Sequence, residues 1–270
     1  DLGTQVALTF PDFKLPFLSR KYRRSVTAAS ELAFMYDSQN RPEFYRRVLT
    51  ASWRYRWKPF RGAQTHRFDL LDLNYVFMPW ISDTFYKQYL ANPSDRNSIL
   101  RYNYENLFIM KWGYSFTYNS LGKNVTGSNY GTNAYVVRFS VETAGNLLYG
   151  ISKLADTHQN SEGQYTLFNI AYAQYGKVDF DFSKSFRLNE RNSLALHVGL
   201  GMALPYGNSR ILPYEKRYFS GGANSVRGWS VRGLGPGSFR GTDGRIDFIN
   251  QTGDIKLDFN FAYRANIFWQ

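Results

Sequence analysis

The chain has 270 residues, 18% of them aromatic, and a formal net charge of +12, yet its mean hydropathy is −0.44. Disordered chains are poor in aromatics, a helical membrane protein needs apolar runs of about 18 residues, and a chain without cysteine has neither a disulfide scaffold nor a cysteine-based metal site. The positive charge raises nucleic acid or an anionic surface as a partner, while abundant aromatics in a polar chain call for apolar and polar residues interleaved at short range.

Taken in chain order, about nine segments alternate with the period of two that marks a β-strand with unlike faces. They lie near 4–10, 24–37, 43–58, 65–78, 104–119, 132–145, 164–188, 193–206 and 253–269. Before the first, Asp1-Leu2-Gly3 lacks the basic stretch and apolar core of a signal peptide, so either one has been removed or the chain begins within something larger. In the second segment Val26, Ala28, Ser30, Leu32, Phe34 and Tyr36 share a face. In the third, Tyr45, Leu49, Ala51, Trp53, Tyr55 and Trp57 oppose Arg46, Arg54 and Arg56. The phase of the fourth slips at Leu70-Leu71, which predicts a bulge. Further on, Phe108, Met110, Trp112, Tyr114, Phe116 and Tyr118 oppose Lys111, Gly113, Ser115 and Thr117, and Val137, Phe139 and Val141 oppose Arg138, Ser140 and Glu142.

From Phe168 to Leu188 one phase persists, but Gln174, Gly176 and Lys184 interrupt its apolar side, so part of that strand is expected to project beyond an apolar layer. Leu194, Leu196, Val198, Leu200, Met202 and Leu204 then alternate with small residues and His197. Finally, Ile255 to Trp269 alternates over about 15 residues, where ordinary strands run about five or six.

Ser38–Pro42 and Asn189–Asn192 read as tight turns, whereas 79–103 and 207–252 are long. Short turns on one side and long loops on the other characterise a transmembrane barrel, and strands in lipid must close on themselves because every backbone amide needs a partner. A soluble sandwich or lipocalin-like barrel also alternates. Strand length, and the groups Trp53, Tyr55, Trp57 and Tyr114, Phe116, Tyr118 set like interfacial girdles, favour the membrane. The fold class is therefore all-β: a transmembrane antiparallel β-barrel.

Catalytic chemistry finds little support. His66, His158 and His197 are far apart and form no metal-binding pair; His197 falls among small residues on the polar side of its strand. A barrel hydrolase needs a serine, a histidine and an acid at one rim. His158 could serve, although a loop histidine is the plainer reading. Gly233-Leu234-Gly235-Pro236-Gly237 lacks the ending of a phosphate loop. The cations form no aromatic-interleaved stripe, so nucleic acid is not expected as a partner; their role is to pair with the anionic sugars and phosphates of an outer leaflet. No cofactor or metal is expected.

The segment 205–254 is the most informative. Tyr206, Tyr214, Tyr218, Phe219, Trp229 and Phe239 interleave with Arg217, Arg227, Arg232, Arg240 and Arg245, and glycines permit tight reversals. That composition suits a loop folded back into a wide lumen, where its arginines need acceptors.

Within it, SGGANSVRGW resembles the signature loop of the BamA/TamA family of outer-membrane assembly barrels (bacterial surface antigen type). The family's VRGF or VRGY tetrad is matched by Val226, Arg227, Gly228 and Trp229, with Trp in the last place. The flanking runs 205–209, 212–225 and 234–238, and RPEFYRR at 41–47, are similar to the TamA-like branch of Bacteroidetes. The resemblance covers most of the chain, and only the block 205–240 is highly specific.

It implies a Gram-negative outer-membrane location and a sixteen-stranded barrel of which the readable strands, at 1–270, are a part incomplete at both ends. The loop 207–252 lies extracellularly and folds into the lumen. POTRA repeats, which precede the barrel in the family, do not occur in this chain. Arg227 would anchor the loop through an acidic motif on the wall. Gly228 and Trp229 would pack its turn, and Gly221, Gly222, Asn224, Arg232, Gly235, Pro236 and Gly237 would support it. The family's aspartate-containing wall motif belongs to a strand beyond Gln270, and neither Glu142 nor Asp258 is favoured as the partner of Arg227.

The implied function is insertion or translocation of nascent outer-membrane proteins through a laterally opening seam that templates client strands. The partners are the clients, the bilayer and its lipopolysaccharide, and periplasmic or lipoprotein helpers. No covalent bond is broken, so the chain is not expected to be an enzyme. The alternatives are a polypeptide-secreting transporter of the two-partner type, which shares the tetrad, and a passive porin-like barrel.

Overall fold

The computed structural model describes residues 2–13, 19–59, 62–87, 104, 106–122, 133–155, 157, 159–160, 163–223, 225–235 and 251–265. Its strands are β1 (Leu2–Phe10), β2 (Val26–Asn40), β3 (Phe44–Pro59), β4 (Gln64–Ile81), β5 (Leu107–Asn119), β6 (Ala134–Ala144), β7 (Thr166–Leu167), β8 (Ile170–Ala171), β9 (Tyr175–Arg187), β10 (Asn192–Pro205) and β11 (Ile255–Ala265). Between them lie α1 (Arg20–Ser25), the single turn α2 (Asp83–Phe85) and α3 (Asn146–Leu154).

Alternation becomes a two-faced wall because every neighbouring pair is antiparallel. The described residues form one nine-stranded sheet in the order β1-β2-β3-β4-β5-β6-β9-β10-β11, with β7 and β8 apart as a small hairpin. Register places Leu8, Leu32, Trp53 and Leu71 in one apolar row, and Phe182, Val198 and Phe259 in another.

The opposite face is charged and paired, both between strands and along them. Arg54 meets Glu31 at 3.5 Å, Arg67 meets Asp69 at 2.9 Å, and Lys111 joins Asp72 at 3.4 Å to Glu142 at 3.1 Å. Arg138 reaches Asp181 at 3.3 Å, and Lys256 reaches Asp258 at 2.8 Å. His197 lies on this face, between Asp181 and Asn260.

Among the described residues, much of the apolar face is uncovered. Val6 is 58% exposed and Phe259 67%, an arrangement that costs about 25 cal/mol per Å² in water and is satisfied by an apolar solvent. Among the described residues no helix is long and apolar enough to cross a membrane.

The slip at Leu70-Leu71 is a bulge: β4 shifts register against β3 between Trp53 and Arg54 and against β5 between Asp69 and Asp72. Aromatics gather on the apolar face at one end, where Trp57 stacks on His66 at 5.1 Å and Tyr118 on Tyr135 at 5.5 Å.

Two expectations need correction, and a third is followed only as far as the described residues reach. First, the long connections 82–106 and 206–254 leave the sheet at one end, but the tight turn after Asn40 sits at that same end; only the turn between Arg187 and Asn192 lies opposite. Second, the segment 164–188 is not one strand. Its first part forms the β7–β8 hairpin, and the ladder begins at Tyr175. Third, β11 runs to Ala265, and the remainder of the segment expected to reach 269 lies outside the described residues.

The reason for the second lies in packing. Phe108, Ile170 and Tyr172 cluster with Leu73, Tyr75, Met110, Leu148 and Tyr149. Leu73, Tyr75, Phe108 and Met110 belong to the apolar face, so α3 and the β7–β8 hairpin lie against the outside of the wall. A comparable fold-back occurs at the other end, where Phe13 packs on Val26 and Tyr55 and the Ser30 hydroxyl donates to the Asp12 carbonyl at 2.6 Å.

Candidate functional site

The segment after β10 turns onto the charged face and is fastened there by four consecutive residues, Glu215 to Tyr218. Pro213 precedes a single 3-10 turn over Tyr214–Lys216, which points successive side chains in different directions. The side chains of Glu215, Lys216 and Tyr218 therefore reach different strands. Glu215 accepts from Arg46 of β3 at 2.8 Å and from Asn74 of β4 at 3.3 Å. Lys216 pairs with Glu142 of β6 at 3.0 Å, and its carbonyl accepts from Lys177 of β9 at 3.3 Å. Arg217 donates to Asp254 at 3.2 Å and to Thr252 at 3.2 Å. The Tyr218 hydroxyl donates to Asp179 of β9 at 2.5 Å, its ring lies 4.3 Å from the Lys177 ammonium, and its backbone exchanges hydrogen bonds with Gly253 at 2.8 Å.

Packing reinforces the polar contacts. Leu212 is fully buried against Ile109, Ala144, Ala173, Tyr175 and Ala203. Tyr218 lies flat over Gly201, where an added Cβ would stand 2.6 Å from the ring; only glycine leaves that room.

Glu142 is the centre of the charge pattern. It receives Lys111 at 3.1 Å, Lys216 at 3.0 Å and the Tyr175 hydroxyl, so two cations converge on one partly buried carboxylate. In the docked segment, burial pulls the Lys216 ammonium below its ordinary value against the opposing charge of Glu142. Burial, and then the hydrogen bond to Asp179, push the Tyr218 hydroxyl up. A cavity of about 680 Å³ remains beside the segment, bounded by Phe44, Arg46, Tyr104, Ile211, Tyr214 and Arg232, so the loop grips the wall on one side.

The tetrad lies elsewhere. Val226, Arg227, Gly228 and Trp229 are exposed, in a turn closed by the Trp229 amide on the Val226 carbonyl at 3.2 Å. No ion pair of Arg227 occurs among the described residues, and Glu142 and Asp258 are engaged by Lys111, Lys216 and Lys256. Of the supporting residues, Gly221 and Gly222 lie against this turn. Gly221 and Gly222 take φ of 98° and 92°, and a side chain on Gly221 would strike the Ser230 carbonyl. The Gly222 amide donates to the Trp229 carbonyl at 2.9 Å.

Arg232 stacks its guanidinium over Tyr214 at 4.2 Å and Phe219 at 4.6 Å, and its carbonyl accepts from the Gln251 amide at 3.0 Å. Gly235 lies against the Gln251 side chain. Asn224, Pro236, Gly237 and His158 lie outside the described residues. Sequence reasoning named Arg227 as the anchor and missed Glu215 and Lys216. The signal was available in LPYEKRY, where a proline precedes an acid-base-base run between two tyrosines. Among the described residues no group of three or more His, Cys, Asp or Glu is placed to hold a metal.

No curated protein matches the sequence. Among solved structures, the chain superposes on BamA from Haemophilus ducreyi lacking POTRA domains 1-3, with a TM-score of 0.52 and 15% identity, over 87% of this chain. It spans 38% of that chain, which makes the fold that of part of a BamA-type barrel. Residues 71–270, about three quarters of the sequence and including the docked loop, match the Omp85 superfamily domain. The chain belongs to the Omp85 superfamily of outer-membrane β-barrels.

Proposed function

We propose that this chain is barrel wall and signature loop of an outer-membrane assembly factor that helps insert or translocate client outer-membrane proteins. The observation that carries the reading is the docking of Glu215–Tyr218 across β3, β4, β6 and β9. A segment fastened to four strands holds the wall in a defined shape, which an assembly barrel needs. On this reading the charged face is the lumen and the apolar face meets lipid. The end bearing the long connections faces outward, toward lipopolysaccharide, and the loop presents the tetrad Val226–Trp229 from a wall-bound base.

Clients recognise a barrel of this kind by adding strands to an opened edge, which breaks no covalent bond. Helper subunits, periplasmic or lipoprotein, are the partners this role implies. The test is depletion in cells. Levels of other outer-membrane barrels should fall, and unchanged levels of all of them would overturn the proposal. Arg227→Ala should lower assembly while leaving the Glu215–Tyr218 contacts in place. Ion conductance that survives Arg227→Ala, together with normal levels of other barrels, would instead identify a porin.

A further inference from the structure

The docked loop holds the excursion between β6 and β9 through Asn208, which bonds to Gln164, Tyr165, Tyr172 and Gln174, but it leaves the helix of that excursion with two apolar sides. In α3, NLLYGISKL, Leu148 and Tyr149 pack toward Phe108, Ile170 and Tyr172 on the apolar face of the wall, and Ser152 is buried beside them. At 100° per residue, Leu147, Ile151 and Leu154 fall on one stripe, turned well away from that packed side. They are 43%, 52% and 91% exposed. A helix apolar on both sides is stable only when both are covered.

The neighbouring hairpin repeats the theme. Leu167 pairs with Ile170 across the two residues Phe168 and Asn169, whose φ values are 52° and 62°. That turn favours Asn or Gly, and a bulky residue there is strained. Yet Phe168 occupies it and is 76% exposed, an aromatic held outward where nothing in the described fold covers it. Lys153 flanks the stripe, long enough to keep its ammonium in water while its stem lies on apolar surface.

We infer that α3 and the β7–β8 hairpin form a membrane-interface anchor, with Leu147, Ile151, Leu154 and Phe168 seated among the acyl chains of the leaflet at the loop-bearing end. The occupant follows from continuity. The packed side of α3 lies on Phe108 and Met110, and the same sheet face runs on through Trp112 and Val141, so the outer side of α3 extends the surface that meets lipid. Such helices lie in the interfacial plane with their apolar stripe inserted by about 5–10 Å. The inference rests on the membrane-barrel reading of the wall.

The absence of cysteine makes a direct test available. The full-length protein, refolded into phosphatidylcholine vesicles, would carry an environment-sensitive fluorophore on single cysteines: Ile151→Cys, Leu154→Cys and Phe168→Cys. Phe259→Cys serves as the strand reference and Lys153→Cys as the water-facing one. The anchor predicts blue-shifted emission and quenching by shallow brominated lipids at the three excursion sites, together with loss of iodide quenching there and its retention at Lys153. Iodide quenching at 151, 154 and 168 while Phe259 is quenched by brominated lipid would overturn the anchor and spare the barrel. Protection from both quenchers would put protein, such as a second copy, on the stripe and equally overturn it. Iodide quenching at Phe259 as well would overturn both readings.

Discussion

Glu142 gathers Lys111, Lys216 and the Tyr175 hydroxyl, and the two ammonium groups lie close enough to repel each other without it. Removing one partner of a buried pair costs roughly 3–5 kcal/mol. Because this carboxylate side chain is 21% exposed, Glu142→Gln should destabilise the docked loop by about 2–3 kcal/mol, read as a lower temperature for loss of the heat-modifiable folded band. Adding Lys216→Met should recover part of that loss, since it removes the cation left without its acid. The Gly201–Tyr218 approach gives a second expectation. Gly201→Ala should cost about 1–3 kcal/mol by overpacking and raise tryptic cleavage at Arg217. Gly199→Ala, whose added carbon meets its neighbours at 3.5 Å, should leave cleavage unchanged.

For the elements, periodicity was a good guide wherever the chain stays in the sheet and a poor one where it leaves. The parity of Ile170 and Tyr172 continues that of β9, so alternation alone could not reveal that these residues pack on the back of β5. A helix was overlooked between β6 and β9 because Leu147, Ile151 and Leu154 repeat at helical spacing over only nine residues. The bulge at Leu70-Leu71, in contrast, announces itself as a phase slip. The loop was legible as a folded object but not in its fastening: composition shows that arginines need acceptors, while only three-dimensional proximity shows that Glu215 and Lys216 reach strands more than 70 residues away in sequence. Leu212 seals that fastening. Leu212→Ala should cost about 2–5 kcal/mol, the range for emptying a buried leucine site, and proteolysis of the native protein should then cut first within the segment 207–218.

Across the whole molecule, the two faces demand two solvents, and adjacent residues of β11 provide the comparison. Phe259 lies on the apolar face and Asn260 beside His197 on the charged one. Phe259→Arg should lower the folded, membrane-inserted fraction by the equivalent of about 2–4 kcal/mol, the depth-dependent cost of a lipid-facing cation. Asn260→Arg should have little effect on that fraction, measured in the same outer-membrane preparation.

The fastening of the loop also has a mechanical consequence. Glu215, Lys216 and Tyr218 bind β3, β4, β6 and β9 together, and Arg217 and Tyr218 hold the approach to β11 at Asp254 and Gly253. That interval is a braced panel whose strands cannot tilt independently. At the other margin, β1 presents Gly3, Gln5, Ala7 and Thr9, none of them charged, toward the charged side and is joined within the described sheet to β2. A bending load on this wall would thus be taken up as hinging beside β1 and β2, and the stiffness of the panel would set the direction in which the wall gives way.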